Sequence, residues 1–164
     1  MSIILVLDNL RSSHNVGSIL RTADATGISS AVCVGTTPYP AITNDIRPGH
    51  IAVKNTRDIA KTALGAEQSI SISYEAELKA TLKSLRDKGV IILALELSDQ
   101  AISLFDFHTD SELNYALILG NEVDGINLSE LGSNDIILEI PMLGAKESLN
   151  VAVSAGIAMY QLTR

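Results

Sequence analysis

The sequence predicts an α/β domain built on a mostly parallel sheet. Short apolar runs alternate with amphipathic stretches from one end of the chain to the other, the pattern of repeated β–α–β units. Several of the apolar runs are continuous rather than alternating with polar residues, as strands covered on both faces require. No linker, repeat or low-complexity segment divides the 164 residues, so a single domain over residues 1–164 is expected, large enough to bury most of its apolar surface.

The elements follow in order. Residues 3–8, Ile-Ile-Leu-Val-Leu-Asp, form an unbroken apolar run and a first strand. Over residues 15–26, Val16, Ile19, Leu20 and Ala23 recur at helical spacing, and Gly27 stands where a helix ends. Residues 31–34 are a short strand. Residues 35–49, with Pro38, Pro40 and Pro48, read as a long loop. A short helix over 56–65 and a strand over 69–74 come next. Residues 75–88 place Leu78, Leu82 and Leu85 on one stripe and stop at Gly89, an amphipathic surface helix. Strands are expected at 90–95, 115–119 and 136–140. The last helix, 149–162, opens with Ser148 and Asn150. Its Val151, Val153, Ile157, Met159 and Leu162 cannot all face one core, which points to a subunit interface.

Composition narrows the function. No apolar run reaches the ~18 residues of a membrane span, and the first residues lack the basic region of a signal peptide. Cys33 is the only cysteine, so it reads as a small buried hydrophobe and a reducing cytoplasm is the expected location. The net charge of −7 argues against nucleic acid taken alone, but it is unevenly placed. Residues 1–61 carry six Lys/Arg and four Asp/Glu (+2), and residues 62–164 carry six and fifteen (−9). Arg11, Arg21, Arg47, Lys54, Arg57 and Lys61, with His14 and His50, are therefore candidate phosphate contacts. Scattered surface cations are the bland alternative.

Familiar loops are absent. The stretch Gly120-Asn121-Glu122-Val123-Asp124-Gly125 has the glycine spacing of a phosphate-binding loop, but Ile126-Asn127 stands where that chemistry needs Lys-Ser/Thr. No G-x-G-x-x-G occurs, and three histidines with one cysteine offer no metal-ligand spacing. Asp8 ends the first strand as a phospho-acceptor would, yet Glu96 and Ser98 do not supply the acids and lysine such a site needs at later strand ends. Three polar clusters remain, each at a strand end or a helix start: Asn15 with Arg21, Asn121 with Glu122, and Ser148 with Asn150. Each alone reads as caps, turn residues and a surface cation. Together they punctuate the loops where α/β proteins bind ligands.

Those clusters carry a resemblance. Asn15-Val16-Gly17-Ser18-Ile19-Leu20-Arg21 resembles the N-x-G-x-x-x-R motif of the SpoU/TrmH family of RNA ribose 2′-O-methyltransferases. Gly120 to Gly125 resembles the second motif of that family, G-x-E-x-x-G, and Ile140-Pro141-Met142 through Ser148-Leu149-Asn150 resembles the third. Each motif is weak alone, but three in order over nearly the whole chain are specific.

The resemblance implies a SPOUT fold with a deep trefoil knot in its C-terminal part, over about residues 90–164. It implies S-adenosylmethionine as cofactor, held by backbone around Leu95, Gly120, Ile140, Ser148 and Leu149. It also implies a homodimer whose active site is completed across the interface. Arg21 would be the catalytic arginine, with Asn15, Glu122, Ser148 and Asn150 around it. Arg21 either acts as the base for the ribose 2′-OH or stays charged to hold a phosphate and stabilise the developing alkoxide. Deprotonating a guanidinium at neutral pH costs about 7–9 kcal/mol at ~1.36 kcal/mol per pKa unit, whereas the electrostatic role needs no deprotonation.

Two departures stand out. Ser12-Ser13-His14 precedes Asn15 where many members carry a proline, and no N-terminal RNA-binding domain is evident. The chain looks like the minimal, TrmL-type members that act on the tRNA wobble ribose. RNA, with tRNA favoured over rRNA, would be gripped by the dimer or with an accessory protein. The competing expectations are a catalytically silent RNA- or cofactor-binding module of the same fold, and an α/β nucleotide binder outside RNA chemistry.

Overall fold

The structure, a computed structural model, describes residues 1–164. Strand β1 (Ile3–Asp8) forms where its apolar run places it. Leu5 and Leu7 join the larger core, and Val6 joins the smaller one behind the sheet. Side chains alternate between the faces, so two covered faces require an unbroken apolar run. Helix α1 (Ser13–Ala25) follows, then β2 (Ser30–Val34), α2 (Gly49–Ala63), the single turn α3 (Ala66–Ser69), β3 (Ser71–Glu75) and α4 (Leu78–Asp87). The second part runs β4 (Ile91–Leu95), β5 (Ile102–Ser103), β6 (Tyr115–Leu119), β7 (Ile136–Glu139) and α5 (Val151–Leu162).

The seven strands form one sheet in the order β3-β2-β1-β6-β4-β7-β5, every pair parallel. On one face α1, α2 and α5 contribute Ile19, Leu20, Ile59, Ala155 and Met159 to the larger core; on the other α4 contributes Leu78, Leu82 and Leu85. β7 lies between β4 and β5, pairing Leu95 with Leu138 on one side and Ile102 with Leu138 on the other. That insertion sets the C-terminal ends of β4, β6 and β7 side by side.

Three local expectations are corrected and one element is added. Helix α2 begins at Gly49 and not at residue 56, because Pro48 occupies its N-cap and proline is tolerated at a helix start. The last helix begins at Val151: Asn150 is its N-cap, accepting from the Ala152 amide at 2.9 Å, and Ser148 lies outside it. The two-residue strand β5 is too short to leave a periodic signal. Arg47 is no free phosphate contact. Its guanidinium makes a fork to Asp45, donates to the Tyr39 and Pro40 carbonyls, and lies 3.3 Å from the Tyr39 ring centroid. Tyr39 in turn stacks on Tyr74 at 4.7 Å, so Arg47 pins the loop over residues 36–48 to β3.

Cys33 is fully buried, and burial pushes its thiol up to about 12, the behaviour of an inert core cysteine. No helix is long and apolar enough to cross a membrane. On α5, Met159 and Leu162 are buried while Val153 and Tyr160 are half exposed, so part of its apolar surface is left uncovered.

Candidate active site

Three strand ends and two loops enclose a cleft of about 300 Å³. Leu95, Leu119 and Ile140, from the ends of β4, β6 and β7, supply apolar wall; residues 120–125 form one side and residues 147–151, leading into α5, the other. Ligands of open parallel sheets bind outside such carboxyl ends, where the strands stop and the loops diverge.

The loop after β6 is held tightly. Gly125 has φ +68°, and a Cβ there would run into the Glu96 carboxylate; a Cβ on Gly120 would run into the backbone of Gly125 and Ile126. Both glycines of the second motif are thus required by close approach. Glu96 fixes the loop from β4, accepting from the Ile126 amide at 2.8 Å and from the Leu97 amide at 2.9 Å. Asn121 donates to the Asn9 carbonyl at 3.1 Å and accepts from the Val123 amide at 2.7 Å.

Glu122 is an acceptor hub. Asn15 Nδ2 donates to its Oε1 at 2.9 Å, and the Arg11 amide donates to its Oε2 at 3.1 Å. Burial works against its charge, but these donors, with the Ser12 amide, outweigh burial and hold the carboxyl below its ordinary range. A carboxylate held low is a poor proton acceptor at neutral pH, and Glu122 ties the loop after β6 to Asn15 and to the Arg11 backbone. Asn15 Oδ1 also accepts from Asn150 Nδ2 at 3.3 Å. The N-termini of α1 and α5 and the loop after β6 are therefore tied together by three polar side chains.

Leu95, Gly120, Ile140, Ser148 and Leu149 all line the cleft, as do Glu122 and Asn150. Asn15 is brought to it through its two hydrogen bonds. Arg21 is not. It is exposed on α1, outside the cleft, in a separate groove with Ser18, Thr22, Lys61 and Tyr160. Sequence reasoning passed over Glu96, Glu147 and Ser154 as cleft residues. Glu96 follows its strand directly, and that position at a strand end was the available signal.

The charge of the lining is one-sided. Glu96, Glu122 and Glu147 face the cleft and no lysine, arginine or histidine does. Such a cleft disfavours a di- or triphosphate and favours a ligand carrying positive charge.

A sequence profile of the SpoU rRNA Methylase family matches residues 2–160. The chain belongs to that family. A Staphylococcus aureus protein named for the TrmH family of tRNA/rRNA methyltransferases is 30% identical over 165 residues, all of this chain and 59% of that protein. The chain thus spans a little under two thirds of the length of such relatives. Among solved structures, the AdoMet-bound rRNA methyltransferase of Sinorhizobium meliloti superposes with a TM-score of 0.77 at 26% identity, over 98% of this chain and 55% of that one. The TrmH/SpoU tRNA modifying enzyme of A. aeolicus gives 0.78 at 25% identity, over 99% and 74%. Family membership accounts for the three motifs: Gly17 and Gly120 sit at close backbone approaches, Gly125 sits against the Glu96 carboxylate, and Asn15, Glu122 and Asn150 form one hydrogen-bonded group.

Proposed function

We propose that the chain is an S-adenosylmethionine-dependent RNA ribose 2′-O-methyltransferase, a homodimer that acts on tRNA in preference to rRNA. The observation that carries this reading is the cleft: the five positions named for the cofactor converge on it, and its charged lining is wholly acidic. S-adenosylmethionine bears a sulfonium and an ammonium, so its charge matches the three glutamates. The size of the cleft lies at the small end of ligand sites, about 300–1,000 Å³, and its apolar strand ends suit an adenine ring. Leu95, Ile140 and Leu149 would hold the base, and Glu122, Ser148 and Asn150 the polar end. The bound cofactor supplies an electrophilic methyl group.

The residues of the chain have two further tasks. The ribose hydroxyl must be positioned, and the negative charge that develops as its proton passes to solvent water must be stabilised. A charged Arg21 performs both by holding the neighbouring phosphate and facing the developing alkoxide. Because Arg21 stands outside the cleft of its own chain, it serves the cleft of a second copy. The half-exposed Val153 and Tyr160 on α5, the latter in the Arg21 groove, support an interface at this face. The knot over residues 90–164 belongs to the same reading. Residues 96–101 connect β4 to β5, and β7 lies between those two strands in the sheet, an order that supports the knot reading.

The separation of Arg21 from the cleft also favours a second reading, a binding module without catalysis. Transfer of labelled methyl to tRNA and rRNA pools lacking the modification, with Arg21→Ala beside the unaltered protein, decides between them. Label in one pool, lost in the variant, is the expected result. Cofactor binding with no transfer to any pool would point to a missing accessory protein or to the module.

A further inference from the structure

The chain is acidic overall, yet one helix face is not. On α2, His50, Lys54, Arg57 and Lys61 follow one another at intervals of four, three and four residues, the spacing of a single helical stripe. All four are exposed. The one acid of the helix, Asp58, lies among the three cations, and its carboxylate is within 3.9 Å of Lys54, 3.7 Å of Arg57 and 2.7 Å of Lys61. Its side chain is 17% exposed while theirs are 65%, 71% and 54% exposed. Asp58 therefore gathers the cations at their base and leaves their outer surface to solvent. The opposite side of α2 is taken up by Ala52, Ile59 and Ala63 in the core, so the stripe is fixed outward.

The stripe ends beside Arg21. Lys61 and Arg21 line the same groove, with Thr22 and Tyr160. From His50 to Lys61 the helix rises about 16 Å at ~1.5 Å per residue, the rise of four to five nucleotides at about 3.4 Å each. Arg47 and Arg11 are excluded from it, the first by its fork to Asp45 and the second by its ion pair with Asp124 on the loop after β6, at 3.5 Å.

We infer that the outer face of α2 is a phosphate track: it holds the backbone of the substrate RNA strand through Lys54, Arg57 and Lys61 and leads that strand to Arg21. The inference rests on the RNA-methyltransferase reading and adds to it where the RNA is gripped. Contacts of this kind fix position without reading sequence, so the grip is the same for different strands, and choice of nucleotide falls to the cleft.

The test is binding of single-stranded RNA oligonucleotides of unlike sequence, by fluorescence anisotropy across a salt series. The proteins are the unaltered chain, the triple variant Lys54→Gln/Arg57→Gln/Lys61→Gln, and a control, Lys79→Gln/Lys83→Gln/Lys88→Gln. The control removes the same charge at α4, on the other face of the sheet. S-adenosylmethionine affinity is measured for all three as a reading of the cleft. Each phosphate contact contributes about 0.7 to the slope of log K against log salt for a single strand. The α2 variant should lose about 2 from that slope on every RNA, with cofactor affinity unchanged, while the control keeps the original slope. An unaltered slope in the α2 variant, or equal flattening in the control, overturns the track while leaving the methyltransferase reading standing. Capture of polyglutamate by the unaltered chain but not by the α2 variant, with RNA binding unchanged, would assign the face to an acidic protein. Failure of the unaltered chain to bind any of these RNAs overturns the track and leaves the methyltransferase reading to the methyl-transfer assay.

Discussion

Asn15 Nδ2 donates to Glu122 Oε1 at 2.9 Å although 107 positions separate the two residues. The same Asn15 accepts from Asn150, which caps α5. One amide side chain thus joins the three motifs that the sequence presents as separate stretches. Glu122 accepts from at least two donors, so its loss leaves each of them without a partner.

Glu122→Ala should therefore weaken S-adenosylmethionine binding by about tenfold to a hundredfold, from the ~1.5–3 kcal/mol of hydrogen bonds to a charged group. The carboxyl is held below its ordinary 4.5, so its contribution is present above that pH and is lost as pH falls through the lowered folded value. Titration calorimetry at pH 7 reads the effect, and an affinity equal to that of the unaltered protein would remove Glu122 from the site.

A site shared between two copies has a signature in mixtures. Arg21→Ala subunits keep the cleft and lack the arginine; Asn150→Ala subunits keep the arginine and lack a cleft side chain. Each protein alone should transfer little methyl. Mixed and re-annealed, a quarter or more of the full activity should return, because mixed dimers hold one intact site. No recovery, with mixed dimers shown to form, would place Arg21 in the site of its own chain. Arg21→Lys should also be severely impaired, since the planar fork is lost.

Asp8 gives a pH dependence of stability. It is 3% exposed at the end of β1, and its carboxyl is pushed to about 6 by burial first and by the charge of Glu130 second, against the donation from Asn9. The folded state keeps a proton that the unfolded state releases, so this contribution is full below the ordinary 3.8 and is lost as pH rises through about 6. It amounts to something on the order of 3 kcal/mol at ~1.36 kcal/mol per unit. Asp8→Asn keeps the neutral shape and removes the dependence. Urea unfolding should find the variant more stable at pH 7.5, with the gap closing toward pH 4; parallel curves would show that Asp8 ionises freely.

Gly17 is the contact between α1 and α2. A Cβ there would meet the Ile59 carbonyl and the Thr62 hydroxyl, which itself donates to the His14 carbonyl at 2.9 Å. Gly17→Ala should lower stability by about 1–3 kcal/mol, as overpacking does, and lower the melting temperature by several degrees. A melting temperature equal to the original would show that the helices have room to part.

Much of this was legible. The strands of the inner sheet carry unbroken apolar runs because both faces are covered, and α4 carries a clean stripe because one of its faces is not. The resemblance names Leu95, Gly120, Ile140, Ser148 and Leu149, and all five line one cleft. What could not be read was local conflict. The prolines of residues 38–48 signal a loop, but the last of them starts a helix, and Arg47 looks like a free cation until Asp45 and Tyr39 are seen around it.

By itself the sequence determined the α/β class, the single run of elements and the family, because apolar periodicity and motif spacing are properties of the chain read in one dimension. The tertiary structure alone decided which polar residues meet. It set β7 between β4 and β5, joined Asn15 to Glu122 and Asn150, made the cleft acidic and left Arg21 outside it beside Lys61. The physical reason is that hydrogen bonds and charge act over a few ångströms in space, and residues more than a hundred positions apart come that close only once the sheet has been ordered.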